Sequence, residues 1–131
     1  MNKAYLKLLS GAKKAGKNAY CPYSKFSVGA AVLTENNKIY TGANVENASY
    51  GLTCCAERAA VFSAVADGAR KIKAVAVVGS GKKAAEPCGA CRQVIFEFGE
   101  NADIITSEKN KINVIKLSKL LPAAFGKRNL K

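Results

Sequence analysis

The sequence predicts an α/β protein, a three-layer α-β-α sandwich with a central mixed five-stranded sheet, and three observations carry that prediction. Apolar residues recur at helical spacing in separate stretches, and short β-branched or apolar runs bounded by turn residues lie between them. The chain has 131 residues at 49% hydrophobic composition, enough for one core without disulfide staples and too little for a second. Residues 1–131 are therefore expected to form a single domain.

Apolar positions at Tyr5, Leu8, Leu9, Ala12, Ala15 and Ala19 predict a first helix from Ala4 to Ala19, ending near Tyr20 before Pro22. Phe26 to Leu33 and Ile39 to Ala43 read as a hairpin with Asn36 and Asn37 in the turn, followed by a polar loop from Asn44 to Gly51. Cys55, Ala59, Phe62 and Ala66 predict a helix from Cys54 to about Ala66, closed by Gly68, and Ile72 to Val78 a buried strand. A loop over Ser80 to Glu86 leads to Pro87, where a helix opens that runs through Ala90, Val94, Ile95 and Phe98 to Gly99. Asp103 to Thr106 and Ile112 to Ile115 are two short strands, and Ser118 to Phe125 a closing helix.

The net charge of +12 invites a polyanionic partner, but its distribution argues against nucleic acid. Lysines are scattered along the chain, at Lys13, Lys14, Lys17, Lys71, Lys73, Lys82, Lys83, Lys109 and Lys111, without interleaved aromatics or an arginine stripe. No stretch approaches the roughly 20 apolar residues of a membrane span, and the apolar start Ala4 to Leu9 is broken by Lys7. A cytoplasmic location is expected. Histidine is absent, which excludes any mechanism that needs imidazole as ligand, base or proton shuttle. The five cysteines, Cys21, Cys54, Cys55, Cys88 and Cys91, are an odd set that suits metal binding in a reducing compartment. Cys21 is assigned a structural place.

Two segments carry the chemistry: Cys55-Ala56-Glu57-Arg58 and Pro87-Cys88-Gly89-Ala90-Cys91-Arg92-Gln93. Each sets thiols at a predicted helix N-terminus, where free N–H groups and the helix dipole favour thiolate, the metal-binding form. Cys88 and Cys91 share a helical face and can grip one ion, with Cys55 as third ligand and one corner of a tetrahedral zinc left open. Cys54 can take the place of Cys55 or join it in a closed four-cysteine structural site. The joint option is disfavoured because consecutive helical residues point about 100° apart. Glu57, two residues past Cys55, reads as a proton carrier rather than another ligand. Arg58 and Arg92 are near enough to offset the thiolate charge, Arg58 on the face of Cys55, and Gln93 stands beside Arg92.

The pairing of Cys55-Ala56-Glu57 with Pro87-Cys88-Gly89-Ala90-Cys91 resembles the all-cysteine form of the zinc nucleobase deaminase signature. Together with Ala19-Tyr20-Cys21-Pro22-Tyr23-Ser24, Phe26-Ser27-Val28-Gly29-Ala30-Ala31 and Asn44-Val45-Glu46-Asn47-Ala48-Ser49, it makes the chain similar to the short homotetrameric cytidine deaminases over nearly its whole length. The resemblance implies one zinc per subunit and hydrolytic removal of the amino group of cytidine or deoxycytidine. Glu57 would carry protons to ring N3 and to the departing amine. It implies further that Asn44 and Glu46 hold the ribose hydroxyls, that Phe26 stacks on the pyrimidine, and that backbone amides near Ala56 and Cys88 orient the base. Tyr50 and Phe125 would come from neighbouring subunits to complete each pocket. Asn44 and Glu46, read as a ribose site, tell against a related deaminase of cytosine-containing antibiotics.

Overall fold

Helix α1 (Lys3–Gly16) begins at Asn2, whose side-chain oxygen accepts the Ala4 N–H at 2.8 Å and satisfies one free helix donor. The regular helix stops at Gly16, short of the expected Ala19: Lys17, Asn18 and Ala19 donate to Lys14, Ala15 and Gly16 O in tighter turns three residues back, and the chain leaves at Tyr20. Tyr20 donates its N–H to Asn44 O at 3.0 Å and accepts from Glu46 N–H at 2.8 Å, pairing residue 20 with Val45 in an extended bridge. The structure is a computed structural model that describes residues 2–81 and 84–130. Lys82 and Lys83 of the expected Ser80 to Glu86 loop lie outside the described residues.

Strands β1 (Val28–Thr34) and β2 (Ile39–Ala43) form the first hairpin, with Asn37 in the left-handed region at φ 64°, where asparagine is tolerated. The polar loop that follows contains a 3-10 turn at Tyr50–Leu52. Helix α2 (Ala56–Ala66) starts two residues later than expected. Cys54 is not helical: it pairs with Val45 in an antiparallel bridge, so the argument that set Cys54 and Cys55 on adjacent helical positions does not apply. Strand β3 (Ile72–Gly79) follows as read from periodicity, and helix α3 (Gly89–Phe98) opens two residues after the expected Pro87, with Cys88 as its N-cap.

The second hairpin is longer than expected, with β4 (Asp103–Glu108) and β5 (Lys111–Lys116) joined through Lys109 and Asn110 at φ 49° and 66°. Two successive positive φ values make the tight turn that matches strand twist, and pairing extends to Glu108 and Lys111. The closing helix expected over Ser118 to Phe125 shrinks to α4 (Leu117–Leu120). Pro122 explains this, since the residue before a proline is driven out of the helical region, and Leu121 has φ −140°. A 3-10 turn at Lys127–Leu130 ends the described chain.

The strands lie in the order β2-β1-β3-β4-β5, with β3 and β4 parallel and the other neighbours antiparallel. α1 covers one face, packing Leu8 and Ala12 on Ala31, Leu33, Ala74, Ala76 and Ile105. The other helices cover the opposite face, where Ala60, Val61, Ala64 and Ile95 meet Val32, Val75, Val77 and Ile104. This is the expected three-layer sandwich, with one helix on one side and three on the other.

Two glycines let the layers close to backbone contact. A methyl group at Gly29 would fall 1.8 Å from Ala12 O, and one at Gly42 2.7 Å from Ala56 O and 2.5 Å from Ala60 N. The first contact seats α1; the second seats the opening turn of α2 on β2, and so sets where Cys55 and Glu57 stand. We expect Gly29→Ala to lower unfolding free energy by about 2 kcal/mol or more, on the scale of an overpacked core. A urea midpoint unchanged from the parent protein is the contrary result.

Candidate metal centre and active site

Cys55 and Cys88 are the N-cap residues of α2 and α3, both in extended backbone, and neither uses its side chain to cap its helix. The two helix ends therefore meet with their free N–H groups and positive dipole ends toward the same point. Cys91, one turn into α3, is fully buried beneath them. The three Sγ atoms lie within 4.8 Å of one another, with Cys55 to Cys88 at 3.9 Å and Cys88 to Cys91 at 3.5 Å. Zinc–sulfur bonds of about 2.3 Å in a tetrahedron put sulfurs about 3.8 Å apart, so the trio already has the spacing of three ligands to one zinc. Cys54 is outside this group and turns its thiol to the Cys55 carbonyl at 3.6 Å.

The charge environment fits thiolate ligation. A hydrogen bond from Cys91 holds the Cys55 thiol down to about 5, against burial, and Arg58 adds to the effect with Nη2 at 3.4 Å from Cys55 Sγ. Cys91 is pushed up by the same Cys55 partner and by burial, so in this pair Cys55 carries the negative charge and Cys91 the proton. Arg58 also reaches Thr53 O at 3.4 Å, while its Nε is a buried donor without a partner among the described residues. A half-buried cation with spare donor capacity suits a cluster of sulfur anions.

Glu57 is 4% exposed, in the first turn of α2. Burial raises its carboxyl to about 7, and the Cys55 thiolate pushes in the same direction. It lines a cavity of about 370 Å³ together with Cys55, Cys88, Ala56, Phe26 and Asn44, so metal ligands, carboxyl and an aromatic face border one space. A larger groove, about 630 Å³, runs over Asp103, Thr106, Val114 and Lys119; it adjoins the first at Glu86 but is lined by none of the three cysteines and not by Glu57. Size does not decide between them; the convergence of ligands and a buried acid does.

Phe26 rests its ring on the end of β3, where a methyl at Gly79 would lie 2.6 Å from Cζ. Asn44, 7% exposed, accepts Val28 N–H at 2.8 Å and donates to Phe26 O at 3.0 Å, so its amide clamps the backbone that carries Phe26. Glu46 stands in an adjoining cavity of about 420 Å³ with Tyr23, Ser24, Tyr50 and Thr53, and Thr53 lines both spaces. Tyr50 is largely exposed and meets Tyr23 edge-on at 6.1 Å between ring centroids. Phe125 is exposed and does not line the ligand cavity of its own chain.

Arg92 and Gln93 turn to backbone rather than to sulfur. Arg92 donates to Pro87 O at 2.8 Å and Leu120 O at 2.9 Å, and Gln93 donates to Phe125 O at 2.9 Å. They tie the ligand-bearing helix α3 to the C-terminal segment. The sequence reading gave no role to Ser24, which hydrogen-bonds Glu46, or to Thr53, which joins the two cavities. Ser24 lies inside a segment already singled out; nothing in its spacing marks it.

Three cysteines at two helix tips, with a buried carboxyl at the mouth of a cavity, define a zinc-dependent hydrolase. A family model described as the cytidine and deoxycytidylate deaminase zinc-binding region matches residues 2–107. The cytidine deaminase of Sporosarcina psychrophila is 52% identical over 126 residues, spanning 95% of this chain and 93% of the relative. That of Halalkalibacterium halodurans is 47% identical over 120 residues, 90% of this chain and 91% of the relative. Among solved structures, the cytidine deaminase of Burkholderia pseudomallei superposes with TM-score 0.88 at 46% identity, covering 95% of this chain and all of the other (100%). The Mycobacterium tuberculosis enzyme superposes with TM-score 0.84 at 40% identity, over 95% and 99% of the two chains. The chain belongs to the cytidine and deoxycytidylate deaminase family.

Cys55→Ala is expected to lose zinc, measured by elemental analysis after gel filtration, whereas Cys54→Ala is expected to keep about one zinc per chain, since three cysteines fill all but one corner of the tetrahedron. The opposite pattern would move the ligand from residue 55 to residue 54.

Proposed function

We propose that this chain hydrolyses cytidine and deoxycytidine to uridine and deoxyuridine with release of ammonia, as one catalytic domain spanning residues 1–131. The observation that carries the reading is a single cavity bordered by Cys55, Cys88, the Glu57 carboxyl and the Phe26 ring, with the third cysteine, Cys91, buried directly beneath the other two thiols. Zinc, held by Cys55, Cys88 and Cys91, supplies the Lewis acidity that makes water nucleophilic near neutral pH.

The chain's own residues do the rest. Glu57 takes a proton from the water whose oxygen bonds to C4 and delivers it to ring N3; it then takes the remaining proton of the new C4 hydroxyl and gives it to the amine, so that the C4–N bond breaks, ammonia leaves and C4=O remains. Phe26 offers the flat base an aromatic face. Asn44 and Glu46 hold the ribose hydroxyls as donor and acceptor. Backbone N–H groups at Ala56 and Cys88, at the helix tips, orient the base and offset charge that develops on it. Arg58 draws electron density from Cys55 sulfur, and Arg92 and Gln93 keep α3 in register with the C-terminal segment.

We read the working form as a homotetramer in which Tyr50 and Phe125 of neighbouring subunits complete each pocket. Supporting this, Tyr50 is 76% exposed, Leu52 70% and Phe125 57%, apolar surface that an isolated chain leaves in water. None of the described helices is long and apolar enough to cross a membrane. We read the protein as a cytoplasmic enzyme of pyrimidine salvage acting on free nucleosides, with no nucleic-acid partner.

Glu57→Gln should bind zinc as the parent does and lose about 100-fold or more in cytidine turnover, followed by ultraviolet absorbance. Undiminished turnover with zinc in place overturns the assignment. A solution mass four times that of the chain is expected from light scattering, and full activity in a monomeric fraction would remove the shared-pocket reading.

A further inference from the structure

The Glu46 carboxylate is not free at the rim of its cavity. Oε1 accepts the N–H groups of Tyr23 and Ser24 at 3.0 and 3.2 Å, and Oε2 accepts the Ser24 hydroxyl at 2.5 Å. The same hydroxyl oxygen accepts the Phe26 N–H at 3.1 Å. Ser24 therefore bonds through one atom to the side chain of one proposed binding residue and to the backbone of another. Between them Lys25 sits at φ 62°, a left-handed conformation that a non-glycine residue adopts only when its surroundings hold it. The holding bond is Lys25 N–H to Cys21 O at 3.1 Å. Its consequence is a reversal that brings the Phe26 N–H back onto Ser24.

A carboxylate has about four lone-pair positions, so three donors from this loop leave roughly one for anything else, in a fixed direction. Without the hydroxyl, Oε2 has no partner among the described residues, and a half-buried glutamate rotates its carboxylate into water. The Ser24 hydroxyl also heads the forces that keep Glu46 below the usual carboxylate range.

We propose that Ser24 is a positioning residue for sugar recognition: its hydroxyl holds the Glu46 carboxylate so that the remaining acceptor position meets a ribose hydroxyl, and seats the Phe26 backbone through the same oxygen. This rests on the reading of Glu46 as a ribose-binding residue. Ser24 touches no substrate atom; it couples the sugar side of the pocket to the base side.

The test is the ratio of kcat/KM for cytidine to kcat/KM for 2′,3′-dideoxycytidine, which lacks the hydroxyls in question, on the zinc-loaded protein. Ser24→Ala should lower this ratio by about 10-fold, the scale of one hydrogen bond to a charged group, through KM for cytidine rather than kcat. Ser24→Thr, which keeps the hydroxyl, should retain the parent ratio. The double variant Ser24→Ala with Glu46→Gln should fall no lower than Glu46→Gln alone. If Glu46→Gln collapses the ratio and Ser24→Ala does not, or if Ser24→Ala slows both substrates equally, the role of Ser24 is overturned while Glu46 keeps its own. If Glu46→Gln leaves the ratio intact, the ribose reading of Glu46 is overturned, and the role of Ser24 with it.

Discussion

Three sulfur atoms from two helix ends share a space less than 5 Å across, and the rest of the fold answers to that constraint. Sulfurs at 3.5 and 3.9 Å would repel one another as thiolates unless cations and dipoles compensate. The compensation is built in: two helix N-termini converge, Arg58 lies against Cys55 sulfur, and a divalent ion is the natural occupant. Convergence needs both helices on the same face of the sheet with their N-termini level. The order β2-β1-β3-β4-β5 provides this, since α2 leads into β3 and α3 connects β3 to its parallel neighbour β4. The closeness of α2 to the sheet comes from Gly42, where any side chain would collide with the first turn of the helix.

The segment Asn44 to Glu46 links the cysteine cluster to the loop that carries Phe26. Val45 is paired to Tyr20 on one side and to Cys54 on the other, so the residue preceding a metal ligand and the residue preceding the first loop are joined through one short bridge. Asn44 and Glu46, on either side of Val45, each hold backbone of the Tyr23 to Val28 stretch. Polar side chains thus do here what strand pairing does in the sheet: they satisfy the amides of an irregular loop and make it rigid. A loop held this way keeps Phe26 at one position on the wall of the cavity.

The lysine excess has a plain physical reading in the fold. The lysines Lys3, Lys7, Lys13, Lys14 and Lys17 on and just after α1 are all exposed, on the side of the sheet away from the ligand cavity. Ion pairs among the described residues are few: Arg92 with Glu86, Lys116 with Asp103 and Lys127 with Glu97. The positive charge of α1 is exposed on one layer, and the cysteine cluster sits in the opposite one.

The amino-acid sequence by itself determined the layer architecture, the five strands and the grouping of Cys55, Cys88 and Cys91 at two helix starts, because each is written in local terms: a periodicity, a turn residue, or two thiols three residues apart at a helix start. Tertiary structure decided what no window of sequence contains. It ended regular α1 at Gly16, leaving a tighter turn before Tyr20 pairs with Val45, and it held Cys54 outside α2 in a second bridge on the other side of Val45. It turned Arg92 and Gln93 to the carbonyls of Leu120 and Phe125, and the Glu46 carboxylate to Ser24. The reason is common to all of these: a hydrogen bond between residues far apart in the chain depends on which backbone groups the fold brings within about 3 Å, and that distance is a property of packing, not of spacing.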